Sequence, residues 1–182
     1  MAKLTKQFGN KMRTREDANQ GYDLAQLKNF MEETKYLAME LIEQRLKVDK
    51  ENELTSPHKT ERKKLAADKS LSDAASALRL SRWPMPYGIF NIKLMKCGGI
   101  RGAREIAIIA AAADINLFWG CNDESIVSIT AALHAAFSCS NTKYLDLDGS
   151  FDLGSDLVTG GFILKDGYLY CSDESGLGVR RG

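Results

Sequence analysis

Short apolar runs recur along the chain, each ending on one polar residue or a glycine and each followed by a helical stripe. The clearest is Ile89-Phe90-Asn91-Ile92-Lys93-Leu94-Met95-Lys96-Cys97-Gly98-Gly99. Its β-branched and aromatic start predicts a buried strand. Lys93 stands inside that run, where a charge is costly. Two glycines then lead into a predicted helix over residues 100–113. Stepping back from Lys93 at a stride of about 25 residues reaches Asp68, Glu43 and Asp17; stepping forward reaches Gly120-Cys121 and Asp146. One polar residue per unit, each at the end of an apolar segment, is the layout of a (β/α) barrel active site.

The other elements follow the same rhythm. Residues 11–16 make a poor strand and are read as one only because the stride calls for it. Residues 22–35 predict a helix with Leu24, Leu27, Phe30 and Met31 on one face, and 37–42 the next strand. The highly charged segment 45–64 contains Pro57 and reads as a loop followed by a short solvated helix. A weak strand over 64–67 leads to Asp68, and 73–82 is helical until Trp83-Pro84-Met85-Pro86 breaks it. Strands over 116–119 and 144–149 flank a helix over 126–137. The alternation of residues 162–170 around Asp166-Gly167 is the signal of a type I′ hairpin, a small β-appendage.

Composition narrows the class. At 182 residues and 44% hydrophobic the chain is one domain or part of one, and short for a closed eight-fold barrel of about 250 residues. A net charge of +1 exerts no global pull toward nucleic acid or membrane. The basic stretch 1–15, with Lys3, Lys6, Lys11, Arg13 and Arg15, reads as a solvated helix end or a phosphate-binding arm, and lacks the interleaved aromatics of a nucleic-acid surface. Cys97, Cys121, Cys139 and Cys171 show no CxxC pairing and read as reduced thiols of a cytoplasmic protein. The start carries no signal-peptide pattern, and the longest apolar stretch, around 106–113, is too short to span a bilayer.

Asp17, Glu43 and Asp68 would project from adjacent strand ends into one mouth. Clustered carboxylates repel, and a hard divalent cation such as Mg²⁺ neutralises them with oxygen ligands. Lys93, on the next strand, can act as a general base if burial and neighbouring positive charge lower its pKa. Metal plus lysine suggests proton abstraction next to a carboxylate. Asp146 and Asp148 alternate on a strand and so face the same side, where they would bind a cation such as a substrate ammonium; a second metal site or turn chemistry before Gly149 are the alternatives. His134, in an apolar helix, reads as structural, and His58, in a charged loop, as solvated.

These residues resemble the enolase superfamily in its muconate-lactonizing subgroup, and most closely the dipeptide epimerases of the L-Ala-D/L-Glu epimerase type. The similarity runs through Asp17-Ala18-Asn19-Gln20-Gly21, Leu41-Ile42-Glu43-Gln44, Ala67-Asp68-Lys69-Ser70, the Asn91–Gly99 stretch, Gly120-Cys121-Asn122-Asp123-Glu124-Ser125, Asp146-Leu147-Asp148 and Gly176-Leu177-Gly178-Val179, from about Phe8 onward. It implies an α/β fold, the C-terminal part of a TIM-type barrel with about six βα units and a small C-terminal hairpin. Residues 1–160 would form the partial catalytic barrel, and 161–182 a tail normally packed on a capping domain. It further implies Mg²⁺ on Asp17, Glu43 and Asp68, Lys93 as one of two acid/base lysines, and Asp146 and Asp148 on the dipeptide's amino group. Cys121 would line the substrate pocket. The implied reaction is epimerisation of dipeptides, such as L-Ala-L-Glu to L-Ala-D-Glu, through a metal-stabilised enediolate.

Departures from the family pattern are equally definite. The family's Lys-x-Lys strand, its capping domain and the first two barrel strands would precede the point where this chain begins, which implies an N-terminally truncated member. Lys69 stands where the family has Glu, and Arg45 where it has Pro. A non-catalytic remnant keeping a metal half-site is therefore the alternative to an active isomerase. A cycloisomerase is a further one, opposed by Asp146-x-Asp148. Six units leave strand edges and part of the core open, so poor solubility as a monomer, or association of copies through those edges, is expected.

Overall fold

The computed structural model describes residues 7–8, 11–37, 39–55 and 58–182. Lys3, Lys6 and Pro57 of the sequence reading lie outside these residues. Six short strands form one parallel sheet in chain order: β1 (Thr14–Asp17), β2 (Met39–Glu43), β3 (Leu65–Ala67), β4 (Ile89–Ile92), β5 (Asn116–Trp119) and β6 (Thr142–Leu145). Each lies beside its sequence neighbour, as successive βα units require. The sheet curls into a half-barrel whose connecting segments lie outside it. They contain α1 (Leu24–Thr34), a 3-10 helix (Val48–Thr55) with α2 (Lys59–Arg62), α3 (Ala74–Leu80), α4 (Leu94–Cys97) with α5 (Ile100–Ala112), and α6 (Ile126–Phe137). No helix among the described residues is long and apolar enough to cross a membrane.

Strand alternation divides the apolar residues into two layers. Ile42, Leu65, Ala67, Phe90, Ile92, Leu117 and Trp119 face outward into the main core with Leu27, Ile106, Ala110, Ile129 and Leu133 of the helices. Leu41, Ala66, Ile89 and Phe118, with Tyr144 against them, form a separate inner cluster. Each contributing strand thus gives the inner face one apolar residue, and the polar residues of the rim follow. In α5 the buried positions Ala103, Ile106, Ala107 and Ala110 form a single stripe against the sheet. Gly98 and Gly99, with φ of 81° and 87°, turn the chain between α4 and α5.

Helix starts match local chemistry. Asp23 caps α1: its carboxylate accepts from Gln26 N at 2.8 Å while Gln26 Oε1 accepts from Asp23 N at 2.9 Å. His58 is exposed at the end of the preceding loop, as expected, and is also the N-cap of α2, its Nδ1 facing Thr60 N. The charged segment 45–64 is less solvated than its composition suggests. Arg45, Glu51 and Arg62 are buried. Arg45 pairs with Glu16 and lies 3.8 Å and 4.8 Å from the Phe30 and Tyr22 ring centroids; Glu51 pairs with Arg79; Arg62 donates to Met85 O. Each partner is distant in sequence, so no local pattern announces it.

After β6 the chain forms two antiparallel pairs, β7 (Val158–Gly160) with β10 (Val179–Arg181) and β8 (Ile163–Lys165) with β9 (Tyr168–Tyr170). Asp166 and Gly167 between β8 and β9 have φ of 52° and 79°, the paired positive values of a type I′ turn. β10 thus joins the tail to β7, across the 160/161 division drawn from the sequence.

Candidate active site

Parallel strands place all their C-terminal ends on one rim. Asp17 and Glu43 are the last residues of β1 and β2 and pair in register. Asp68 and Lys93 directly follow β3 and β4, Gly120 follows β5 and Asp146 follows β6. The strand expected over 144–149 ends earlier, at Leu145. Asp146 N still donates to Trp119 O at 2.8 Å, after which the chain leaves the ladder. Asp146 and Asp148 therefore stand beyond the strand, both exposed, with Leu147 buried between them.

Each carboxylate has its own setting. Asp17 is exposed and accepts from Asn19 N at 2.7 Å. Glu43 is buried and accepts from Asn91 Nδ2 at 2.7 Å. Burial, followed by the charges of Asp68 and Asp17, pushes its carboxyl up to about 7 against the hydrogen bond from Asn91. Asp68 is also buried, yet sits below the usual carboxylate range. Burial works to raise it, and the ammonium groups of Lys96, Lys93 and Lys69 outweigh burial. Lys96 Nζ bonds Asp68 Oδ1 and, at 2.6 Å, Asp68 O. Lys69 Nζ lies 3.0 Å from Oδ2, and Lys93 Nζ 3.5 Å from Oδ1. Burial lowers Lys96, and its like-charged neighbours Lys93 and Lys69 add to that, while Asp68 opposes it.

Across the mouth, Lys93 Nζ is 3.4 Å from Asn122 Oδ1. Cys121 Sγ is 3.2 Å from Asp146 O and accepts from Gly149 N at 3.3 Å, tying the two rim loops together. Burial pushes the Cys121 thiol up, and the charges of Asp148 and Asp146 add to this. Although Asp146 is exposed as a residue, partial covering of its carboxyl raises it, helped by Asp148 and opposed by Arg15 and Lys93.

The donor set suits a hard divalent cation in its chemistry: three carboxylates on consecutive strands, with Glu43 raised in part by the other two. In the geometry of the chain alone the donors are engaged elsewhere. Among the described residues no three Asp, Glu, His or Cys side chains are gathered closely enough to hold a metal ion. Asp17 is turned to its own loop, Glu43 to Asn91, and Asp68 to lysines.

Four residues of the site had no role in the sequence reading: Lys96, which bonds Asp68; Asn122, which faces Lys93; Asn91; and Gln44. Asn91 shares the inner face with Lys93 two residues on, a buried polar residue in an apolar strand, which was a usable signal. Gly120 leaves room for it, since a Cβ there would stand 2.5 Å from Asn91 Oδ1. Gln44 carries no such signal. Fully buried, it accepts from Asp68 N and Ser70 N at 2.9 and 3.1 Å and donates to Leu46 O and Ser70 Oγ. It thereby locks the end of β2 to the turn carrying Asp68.

The model of the Enolase C-terminal domain-like family matches residues 1–181. The chain belongs to the enolase C-terminal domain-like family. The L-Lys-D/L-Arg epimerase of Desulforapulum autotrophicum is 50% identical over 179 residues, covering 98% of this chain and 50% of that protein. The L-Ala-D/L-Glu epimerase of Clostridium acetobutylicum is 32% identical, covering 98% of this chain and 50% of that protein. A crystal structure of dipeptide epimerase from Methylococcus capsulatus, complexed with Mg and the dipeptide L-Arg-D-Lys, superposes with a TM-score of 0.94 at 47% identity, covering 98% of this enolase-like chain and 50% of the other. This enolase-family chain spans about half the length of the curated relatives it matches.

Proposed function

We propose that this chain carries the cation site and one acid/base lysine of a dipeptide epimerase. The observation that carries the reading is the order of groups along one rim: Asp17, Glu43 and Asp68 at the ends of β1, β2 and β3, and Lys93 on the next strand beside Asp68. In this reading Asp17, Glu43 and Asp68 hold Mg²⁺, which when bound supplies positive charge to the substrate's carboxylate. Lys93, as the free amine, takes the α-proton: the Cα–H bond breaks, an N–H bond forms, and the electron pair spreads into the adjacent carboxylate. Asp146 and Asp148 receive the dipeptide's ammonium group from the far side of the mouth, and Cys121 lines the pocket while holding their loop. The greater identity to relatives acting on Lys and Arg than to one acting on Ala and Glu favours a cationic dipeptide.

The test incubates the chain with Mg²⁺ in D₂O and both epimers of each dipeptide, L-Lys-L-Arg with L-Lys-D-Arg and L-Ala-L-Glu with L-Ala-D-Glu, followed by NMR. Lys93 approaches Cα from one side, so its own signature is exchange of the α-proton for deuterium in one epimer. Lys93→Ala should slow that exchange by roughly 10²–10⁴-fold. Exchange that survives Lys93→Ala, or its absence with both dipeptides, sinks the proposal.

A further inference from the structure

Three ammonium groups surround the single carboxylate of Asp68, whose side chain is 2% exposed. They are not equivalent. Lys96 is fixed, bonded to both the carboxylate and the backbone carbonyl of Asp68 and 22% exposed. Lys93 is 12% exposed, lies farther off at 3.5 Å and also faces Asn122. Both are directed at Oδ1. Lys69 alone takes Oδ2, at 3.0 Å; its side chain is 41% exposed and, among the described residues, has no other acceptor. Its flexible four-carbon stem can swing into water without breaking another contact. Oδ2 is therefore the oxygen that a cation can reach, and Lys69 is the group that must leave it.

We infer that Lys69 is a resident counter-cation of the rim, which competes with a divalent metal ion for Asp68 Oδ2 and so sets how tightly the chain binds that ion. The inference rests on the reading of Asp17, Glu43 and Asp68 as the cation site. Two physical effects act in the same direction. The ammonium occupies a ligand oxygen, and its charge repels the incoming ion across a partly buried space where screening is weak. Lys96, bonded to both Oδ1 and the backbone carbonyl of Asp68, holds that carboxylate in place when Lys69 moves away, so the exchange does not unmake the site. Lys69 is thus a positioning residue of the metal-free state, acting on the ion through Asp68.

Direct ion binding tests this without any turnover. Mg²⁺ affinity of the whole chain is measured by calorimetry, and Mn²⁺ affinity by electron paramagnetic resonance of the free ion. Both are applied to the wild type, Lys69→Gln, Lys69→Met, Lys69→Arg and Asp68→Asn, with circular dichroism to verify folding. The expected result is roughly tenfold tighter binding in Lys69→Gln and Lys69→Met, and affinity near that of the wild type in Lys69→Arg, which keeps the charge. If the two neutral variants bind like the wild type while Asp68→Asn loses the ion, the cation site stands and the role of Lys69 is overturned. If Asp68→Asn binds as tightly as the wild type, the cation-site reading falls and takes this inference with it.

Discussion

Glu43 shows how a single side chain can carry the tension of the site. Its strand ends inside the curled sheet, so the carboxylate lies in a buried place beside two other carboxylates, and its pKa rises from an ordinary 4.5 to about 7. The folded chain therefore holds this proton more tightly than the unfolded chain does. The corresponding stability is fully present below about pH 4.5 and is lost as the pH rises toward 7. Asp68 behaves in the opposite sense: its contribution is present above its ordinary 3.8 and is lost only as the pH falls below that. In EDTA, the urea-unfolding stability of the wild type minus that of Glu43→Gln should fall between about pH 4.5 and 7. A flat difference would mean that Glu43 is not proton-linked to folding. The proposed base Lys93 and the departure Lys69 meet on the neighbouring carboxylate, which residue spacing alone did not reveal.

At the scale of elements, the rim depends on how each strand end is tied to the next turn. Gln44, with φ of 31°, does this for β2 and β3 through a buried side-chain amide that serves the backbone N–H groups of both Asp68 and Ser70. Gln44→Ala would leave both donors without a partner in the interior, at a cost of roughly 2–4 kcal/mol. Urea unfolding measures that loss, and a change within about 0.5 kcal/mol would mean that water replaces the amide fully. The elements themselves were largely legible. The helix stripes, the hairpin and the strand before Lys93 each follow from a local period or a local turn. The Asp146 strand was drawn too long because alternation continues past the last ladder bond, with Leu147 buried between two exposed carboxylates. Periodicity registers that alternation but not the loss of the partner strand.

For the whole molecule, the governing fact is a sheet that curls without closing. Arg15 of β1 reaches across the inner face to donate to Leu145 O of β6 at 3.2 Å, and its guanidinium lies 5.1 Å from the Tyr144 ring centroid and 5.9 Å from that of Phe118. It also bonds Glu40 at 3.0 Å. One side chain thus spans the two ends of the sheet over the inner cluster. Among the described residues the outer edges of β1 and β6 pair with no other strand. Such edges recruit further strands. The 182-residue chain by itself is expected to self-associate at micromolar concentrations, read as a rise in mass with concentration by sedimentation equilibrium. A concentration-independent monomer would show that Arg15 and the rim loops protect the edges well enough.

The sequence by itself determined the repeat of βα units, the polar residue at each strand end and therefore the rim that carries Asp17, Glu43, Asp68 and Lys93. The reason is that parallel strands in chain order bring equivalent positions of a periodic sequence to the same end. Asp166-Gly167 likewise determined its own turn, because the requirement for positive φ is local. Only the tertiary structure decided which charges meet. Asp68 is claimed by Lys96 and Lys69, Arg45 is buried between Tyr22 and Phe30 beside Glu16, and Arg15 crosses to β6. For most of these groups the partners are far apart along the chain. Even for the adjacent pair Asp68 and Lys69, which oxygen is bonded depends on where the other lysines stand. Such contacts depend on the curvature of the sheet and on side-chain reach across it, neither of which a one-dimensional period encodes.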